Sequence, residues 1–250
     1  MFEGISIKDH LLTLSLALYG HAALVKFLIS RGSLIHVISH DQNSQTPLHT
    51  AFSLLSRVDS NVDIVELLLD SGAMVNHPDH EGNTPLHLAC IKQLRFNCLK
   101  LVELLLTRGA DVYASNNLGN TPLMELWGPR SVKDRDLFRK AGPRADVIQV
   151  LVTYGADLNN RYKDGSTPLH RSLQQFRVEP SEFLIKHGAD VHARDRNGKS
   201  PLDVVKSWKM FPEDRERLQE LLIHYGVGSS VSETKDVGCD TRAEASVSEN

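Results

Sequence analysis

The sequence predicts an all-α fold, a solenoid of about six helix-turn-helix units that each carry a projecting β-turn finger. Two recurring strings support this prediction. Thr-Pro-Leu-His occupies 46–49, 84–87 and 167–170, and variants of it occupy 121–124 and 200–203. An apolar block that ends in glycine precedes each of these strings and also closes the array, with the glycines at 32, 72, 109, 155, 188 and 226. Internal self-similarity of this kind is the signature of a repeat protein.

The distances between the two strings indicate which part of each unit has a fixed geometry. From glycine to the next Thr or Ser the distance is 12 residues in four units and 14 in the first, whereas the opposite leg varies from 21 to 34 residues. Thr or Ser before Pro favours a helix start, and glycine after an apolar block favours a helix end. The variable leg therefore holds two short antiparallel helices with an adjustable loop.

The segment of nearly constant length, from each glycine to the next Thr or Ser, contains residues typical of turns. Asx residues and glycine stand at fixed offsets in 79–82, 116–119 and 195–198, which predicts a finger that projects from the helices. The helix before each finger has an apolar arc, as in 64–69, that is too wide for a surface helix. We therefore expect neighbouring units to cover it on both sides.

The intact Thr-Pro-Leu-His strings, the Gly-Ala-Asp strings that begin at 109, 155 and 188, and the Asx-x-x-Gly turns resemble the ankyrin repeat family from about residue 8 to residue 226. The resemblance implies an array over 1–226, with cap units at 8–32 and 200–226. It also implies that His49, His87 and His170 hydrogen-bond each helix start to the adjacent loop. Residues 227–250 are acidic and rich in serine, which predicts a disordered tail.

Composition argues against several functions. The 250 residues hold 28 Lys and Arg against 31 Asp and Glu, a net charge of −3, so we expect no nucleic-acid or membrane partner. The most apolar stretch, 11–29, is interrupted by Gly20 and His21, which favours two short helices over a signal or a membrane anchor. Three cysteines are too few for a disulfide framework and fit a reducing compartment. We expect a monomer in the cytoplasm or nucleus.

The sequence offers no residues for catalysis. It has no phosphate-binding glycine loop, no nucleophile elbow and no HExxH string, so we expect no catalytic residue, no cofactor and no enzyme activity. His77 and His80 in the second finger, and His36 and His40 in the first, lie in predicted turns without a third and fourth ligand. We therefore expect no metal site.

The predicted fingers differ in charge along the array. The first two carry Asp41, Asp79, Glu81 and four histidines but no Lys or Arg, whereas the tips of the last two, 161–164 and 194–199, carry five cations and two Asp residues. One interpretation is that these charges only keep the protein in solution. The other is a protein partner that lays a basic or neutral segment over the first fingers and an acidic one over the last. The candidate partner-binding residues are His77, His80, Glu81, Asn117, Leu118, Arg161, Lys163, Arg194, Arg196 and Asn197.

An insertion at 128–146 departs from the repeat. It holds six basic and three acidic residues around Leu137 and Phe138. It is interpreted either as a solvated excursion, since long insertions cost little stability, or as a partner contact. Two functions therefore stay open. The first is a non-catalytic scaffold or adaptor that binds through the concave face of fingers and inner helices. The alternative is a regulatory subunit or inhibitor that masks or positions an enzyme, with 128–146 as a second contact.

Overall fold

The computed structural model describes residues 22–31, 45–53, 61–91, 98–127, 145–209 and 211–229. These ranges contain eleven α-helices and no strand, which confirms the predicted all-α solenoid. In chain order the helices are α1 (Ala22–Ser30), α2 (Pro47–Ser53), α3 (Asn61–Asp70), α4 (Pro85–Ile91), α5 (Cys98–Thr107), α6 (Pro122–Glu125), α7 (Ala145–Thr153), α8 (Pro168–Gln174), α9 (Val178–Lys186), α10 (Pro201–Lys206) and α11 (Pro212–Ser229).

The helices alternate between two layers. The inner helices are α2, α4, α6, α8 and α10, and the last four of these each follow a described finger. The outer helices are α1, α3, α5, α7, α9 and α11, and the last five of these each come after an inner helix in the chain. Every outer helix packs on the next outer helix along the chain. The described fingers between outer and inner helices are the second (73–83), third (110–120), fourth (156–166) and fifth (189–199). Only Gln45 of the predicted first finger lies within the described residues.

The helix starts lie where the repeated string predicts them. All five inner helices begin at the proline of a Thr-Pro or Ser-Pro pair. At α10 the cap is reciprocal: the amide of Asp203 donates to Ser200 Oγ at 3.3 Å, and the amide of Ser200 donates to Asp203 Oδ2 at 2.9 Å. Such a capping box satisfies two amides that the first helical turn leaves without partners.

The predicted helix ends hold for four glycines and fail at the last one. Gly72, Gly109, Gly155 and Gly188 have φ between 84° and 95°, the region in which glycine turns a chain out of a helix. Gly226 has no such φ, and α11 continues through it to Ser229, so the predicted helix end at 226 is wrong. The Gly226 carbonyl instead interacts with His192 Nε2 of the fifth finger at 3.2 Å.

The core follows the length of the array. The leucines of four of the five repeated strings, Leu48, Leu86, Leu123 and Leu169, are fully buried, and Leu202 in the fifth is partly buried. They belong to one continuous apolar cluster that extends from Val25 in α1 through all the described repeats. Each repeat thus contributes a layer that its neighbours cover, as expected for a solenoid.

Several sequence-based expectations fall on residues outside the described ranges. These are most of the first finger, residues 128–144 of the insertion, residues 230–250 of the tail and the first part of the N-terminal cap unit. Ala145 and Asp146, which the sequence assigned to the insertion, form the first turn of α7. Within the described residues, no helix is both long and apolar enough to cross a membrane.

Candidate binding surface

Each described finger is closed by the same turn. The amide of Asp79 donates to the Asn83 carbonyl at 2.9 Å, and the corresponding bonds in the third, fourth and fifth fingers are 2.9–3.0 Å long. In the second finger, Asp79 Oδ1 also accepts the amides of Glu81 and Asn83 at 2.9 and 2.8 Å. Asn116 and Asp195 repeat this arrangement in the third and fifth fingers. The predicted Asx turns are therefore confirmed, and they hold the finger tips in a fixed conformation.

Backbone hydrogen bonds join the tips in pairs. The amide of Asn117 in the third finger donates to the Glu81 carbonyl in the second at 2.9 Å. The amide of Arg196 in the fifth finger donates to the Asp164 carbonyl in the fourth, also at 2.9 Å. Main-chain atoms make both of these contacts, and in the first pair a side chain adds to them, because Asn117 Nδ2 donates to the His80 carbonyl at 2.9 Å.

The motif histidines anchor the fingers to the helices. His49, His87 and His170 each receive the amide of the preceding Thr at Nδ1, at 3.1–3.2 Å. Since that amide can only donate, Nε2 carries the proton, and it donates to the carbonyls of Asn83, Asn120 and Lys199 at 3.2, 3.0 and 3.0 Å. This confirms the role that the resemblance implied. Burial lowers the pKa of all three rings, which favours the neutral form that this geometry needs.

Nine of the ten candidate residues are exposed, and only His77 is partly buried. The structure divides the four candidate cations into two groups. Arg161 donates from Nη1 to the carbonyls of Gly165 and Arg194 at 3.1 and 2.7 Å, and Arg194 donates to the Gly198 carbonyl at 2.7 Å. These two arginines brace the fourth and fifth fingers.

Lys163 and Arg196 form the second group. Within the described part of the chain, no hydrogen bond or ion pair engages either side chain. The carboxylates beside them are already engaged: Asp195 accepts two amides of its own turn, and Asp164 accepts from Ser166 and Arg171. Burial raises the pKa of Asp164, but the hydrogen bonds from Ser166 outweigh this effect and leave that pKa below its ordinary value. The Lys163 and Arg196 side chains therefore face solvent, next to carboxylates that already accept hydrogen bonds from other groups.

The second and third fingers are held by buried polar side chains instead. Asn116 Nδ2 donates to Asn83 Oδ1 and to Glu125 Oε1, both at 2.9 Å, and Asn120 Nδ2 donates to the same Glu125 oxygen at 2.8 Å. Glu125 lies on α6 and is 8% exposed. Sequence reasoning missed this residue. Its only signal is a carboxylate at an inner-helix position that holds Leu88 in the preceding repeat.

In the described ranges, no three His, Cys, Asp or Glu side chains are arranged so that they could hold a metal ion. His77 Nδ1 donates to the Pro78 carbonyl at 2.8 Å, and His80 Nε2 lies 3.9 Å from Glu81 Oε1. Cys90 and Cys98 are buried, and burial raises the pKa of the Cys90 thiol well above its ordinary value. Cys90 is therefore a poor nucleophile.

Helix pairs stacked in register, with braced fingers between them, define a helical repeat solenoid. A family model described as ankyrin repeats, in three copies, matches residues 12–116, and a single ankyrin repeat model matches residues 164–196. The chain belongs to the ankyrin repeat family. Ankyrin repeats generally mediate protein–protein interactions, and proteins of this family are typically non-catalytic interaction modules. No match to the chain was found among curated proteins.

Proposed function

We propose that this protein is a non-catalytic scaffold or adaptor that binds a protein partner through its fingers and inner helices. The observation that supports the proposal is the unmatched charge at the fourth and fifth finger tips. Lys163 and Arg196 project without a hydrogen bond or ion pair from the described residues, whereas Asp164 and Asp195 accept hydrogen bonds. An acidic segment of a partner would complement these cations.

The other half of the surface suits a different part of the partner. The second and third fingers present His77, His80, Glu81, Asn117 and Leu118, with no Lys or Arg among residues 73–83 and 110–120. Leu118 is an apolar tip side chain that is 49% exposed. We expect a basic or neutral segment with an apolar side chain to lie here.

A charge-reversal experiment tests the proposal. The variant is Lys163→Glu with Arg196→Glu, which spares Arg161 and Arg194 because these brace the fingers. The matched control is Lys100→Glu with Lys209→Glu, which makes the same change in net charge at exposed positions outside the fingers. We expect affinity capture from native lysate to recover a partner with the wild type and the control but not with the variant.

Binding kinetics with the captured partner complete the test. We expect the variant to associate more slowly and to bind about tenfold or more weakly at low salt, with a difference that shrinks as salt is added. Circular dichroism checks that all three proteins are folded. Equal affinity of variant and control at low salt would contradict the proposal.

The regulatory alternative depends on the insertion. Six basic residues beside Leu137 and Phe138 favour a second contact there, although residues 128–144 lie outside the described structure. Deleting 131–141 distinguishes the two functions. A scaffold that binds only through its fingers keeps its affinity, whereas a two-site regulator loses affinity or its effect on the bound enzyme.

Compartment and assembly state complete the proposal. Cys90 and Cys98 are both buried free thiols, which suits a reducing compartment, and we propose that a monomer acts in the cytoplasm or nucleus. Cell fractionation and sedimentation test these two statements. Recovery in a secretory fraction, or sedimentation as a dimer at micromolar concentration, would contradict them.

A further inference from the structure

Most junctions between repeats share two side-chain links. The first is the motif histidine, which bonds to the carbonyl of the next finger in three places. The second is an asparagine at the base of the finger. Asn76 donates to the Gly109 carbonyl at 2.9 Å and accepts the Asp111 amide at 2.8 Å, and Asn159 makes the same pair of bonds to Gly188 and Asp190.

The junction between the third and fourth fingers has neither link. Met124 occupies the histidine position. Tyr113 occupies the asparagine position, and its hydroxyl packs against Gly155 there in place of the asparagine hydrogen bonds. Within the described ranges, no backbone hydrogen bond joins the tips of these two fingers, whereas the second and third tips and the fourth and fifth tips are joined. The inner helices differ as well. Here α6 and α8 are in much less contact than α2 with α4, α4 with α6, or α8 with α10.

A tyrosine partly replaces the missing links. Tyr162 stands where the other described fingers have Asp or Asn, and its buried hydroxyl donates to the Met124 carbonyl of α6. The Arg171 guanidinium covers the Tyr162 ring at 4.7 Å from its centroid. Gln175 Nε2 also donates across the junction, to the Trp127 carbonyl at 3.2 Å.

The outer layer remains continuous at the same junction. Helix α7 packs on α5 on one side and on α9 on the other. The array is therefore joined along its outer helices and loosely joined along its inner helices, which is the arrangement of a hinge with its axis on the outer side.

We propose that the array bends at this junction. The described residues within 45–127 and within 156–229 move as two blocks about α7, and the Tyr162–Met124 hydrogen bond acts as the latch between them. The junction separates the fingers that carry His80 and Glu81 from those that carry Lys163 and Arg196. Bending thus changes the distance between the two charged regions, and it does so whether or not a partner is bound.

Distance measurement between spin labels tests the proposal without a partner. Labels are placed at Glu81→Cys and Asn197→Cys, on the second and fifth fingers, in a Cys239→Ser background in which Cys90 and Cys98 stay buried. Removing the latch with Tyr162→Phe should broaden the distance distribution roughly twofold. The matched control is Tyr225→Phe, which removes an exposed tyrosine hydroxyl on α11, within the second block, and should leave the width unchanged.

A repair variant gives the opposite expectation. Tyr113→Asn, Met124→His and Tyr162→Asn together restore the residue types of the other junctions, and they should narrow the distribution below that of the wild type. Amide hydrogen exchange provides a second measurement. In Tyr162→Phe, exchange should rise in α6 and α8 and not in α4 or α10. The proposal is overturned if Tyr162→Phe, folded by circular dichroism, changes neither the width nor the exchange in α6 and α8.

Discussion

The second and third fingers are built on the same backbone as the fourth and fifth, but different side chains hold them. Each pair is joined by one amide-to-carbonyl bond between its tips, 2.9 Å long in both. In the first pair the buried carboxylate of Glu125 accepts hydrogen bonds from the side-chain amides of Asn116 and Asn120. In the second pair Arg161 and Arg194 bind carbonyls from the exposed side. The same finger backbone can thus be held either by a buried carboxylate or by exposed arginines. Where arginines hold it, their positive charge lies on the surface.

The largest expected effect comes from the turn glycines, which test whether the tips are in close contact within a pair. Gly82 and Gly119 both have φ of 78°, but a Cβ on Gly82 would lie 2.6 Å from Asn117 Oδ1, whereas one on Gly119 meets nothing within 4 Å. We expect Gly82→Ala to cost about 2–3 kcal/mol of unfolding free energy and Gly119→Ala about 1 kcal/mol. Urea denaturation measures both, and equal costs would contradict the close contact.

The same difference is expected in the second pair. A Cβ on Gly165 would lie 3.0 Å from the Arg196 amide nitrogen, and one on Gly198 meets nothing within 4 Å. Gly165→Ala should therefore be more destabilising than Gly198→Ala. A reversed order would indicate that the two pairs are not built alike.

The next effect concerns the buried carboxylate of the first pair. Glu125→Ala removes the acceptor of two amide side chains, from Asn116 and Asn120, and should cost about 1–3 kcal/mol because these groups lose their buried partner. Glu125→Gln keeps one acceptor oxygen and should recover part of that loss. Thermal melting checks both variants, and a neutral Glu125→Ala would show that water replaces the carboxylate.

The unfolding free energy is expected to depend on pH through a motif histidine in each finger pair. Burial lowers the pKa of His87 and His170 below 6.5, so the folded state binds fewer protons than the unfolded state. The stabilisation is complete above pH 6.5 and is lost as the pH falls through the lower folded-state pKa, with a slope of at most about 1.4 kcal/mol per pH unit for each ring. Urea denaturation between pH 7.5 and 5 measures this loss. His87→Gln should reduce the slope, and an unchanged slope would contradict the assignment.

The smallest effect is expected from the exposed arginine braces of the second pair. Arg194→Ala removes a hydrogen bond to the Gly198 carbonyl and should change the unfolding free energy by less than about 1 kcal/mol, because the group is exposed. Amide exchange in the fifth finger should nevertheless rise. Arg196→Ala is the matched control and should leave that exchange unchanged. Equal exchange in the two variants would show that Arg194 braces nothing.

The sequence was sufficient for those features that depend on neighbours in the chain. The inner-helix starts, the Asx turns and four of the glycine helix ends depend on residues within about one turn of each other, and they lie where the strings predict. The prediction at Gly226 failed because the same kind of string can also continue a helix. The contact at its carbonyl does not distinguish the two outcomes, since the carbonyls of Gly109 and Gly188 accept equivalent bonds from the preceding fingers.

The candidate surface was predictable only in part. Exposure of the tip residues follows from the repeat. The hydrogen bond from Arg161 to the carbonyl of Arg194, 33 positions away, does not. The same is true of Glu125, whose partners lie in the third finger, and of Tyr162, whose hydroxyl reaches α6. These contacts depend on how adjacent repeats stack, and a local sequence pattern does not specify that stacking.

The backbone bond at the tip of the fifth finger has a consequence for how this protein can change over time. The Arg196 amide holds the tip to the fourth finger whatever side chain that position carries, proline excepted. If the proposed surface binds a partner, replacements there alter what it recognises and leave the framework intact. Descendants of this chain can acquire new binding preferences by single substitutions at such positions without first acquiring a compensating mutation in the core.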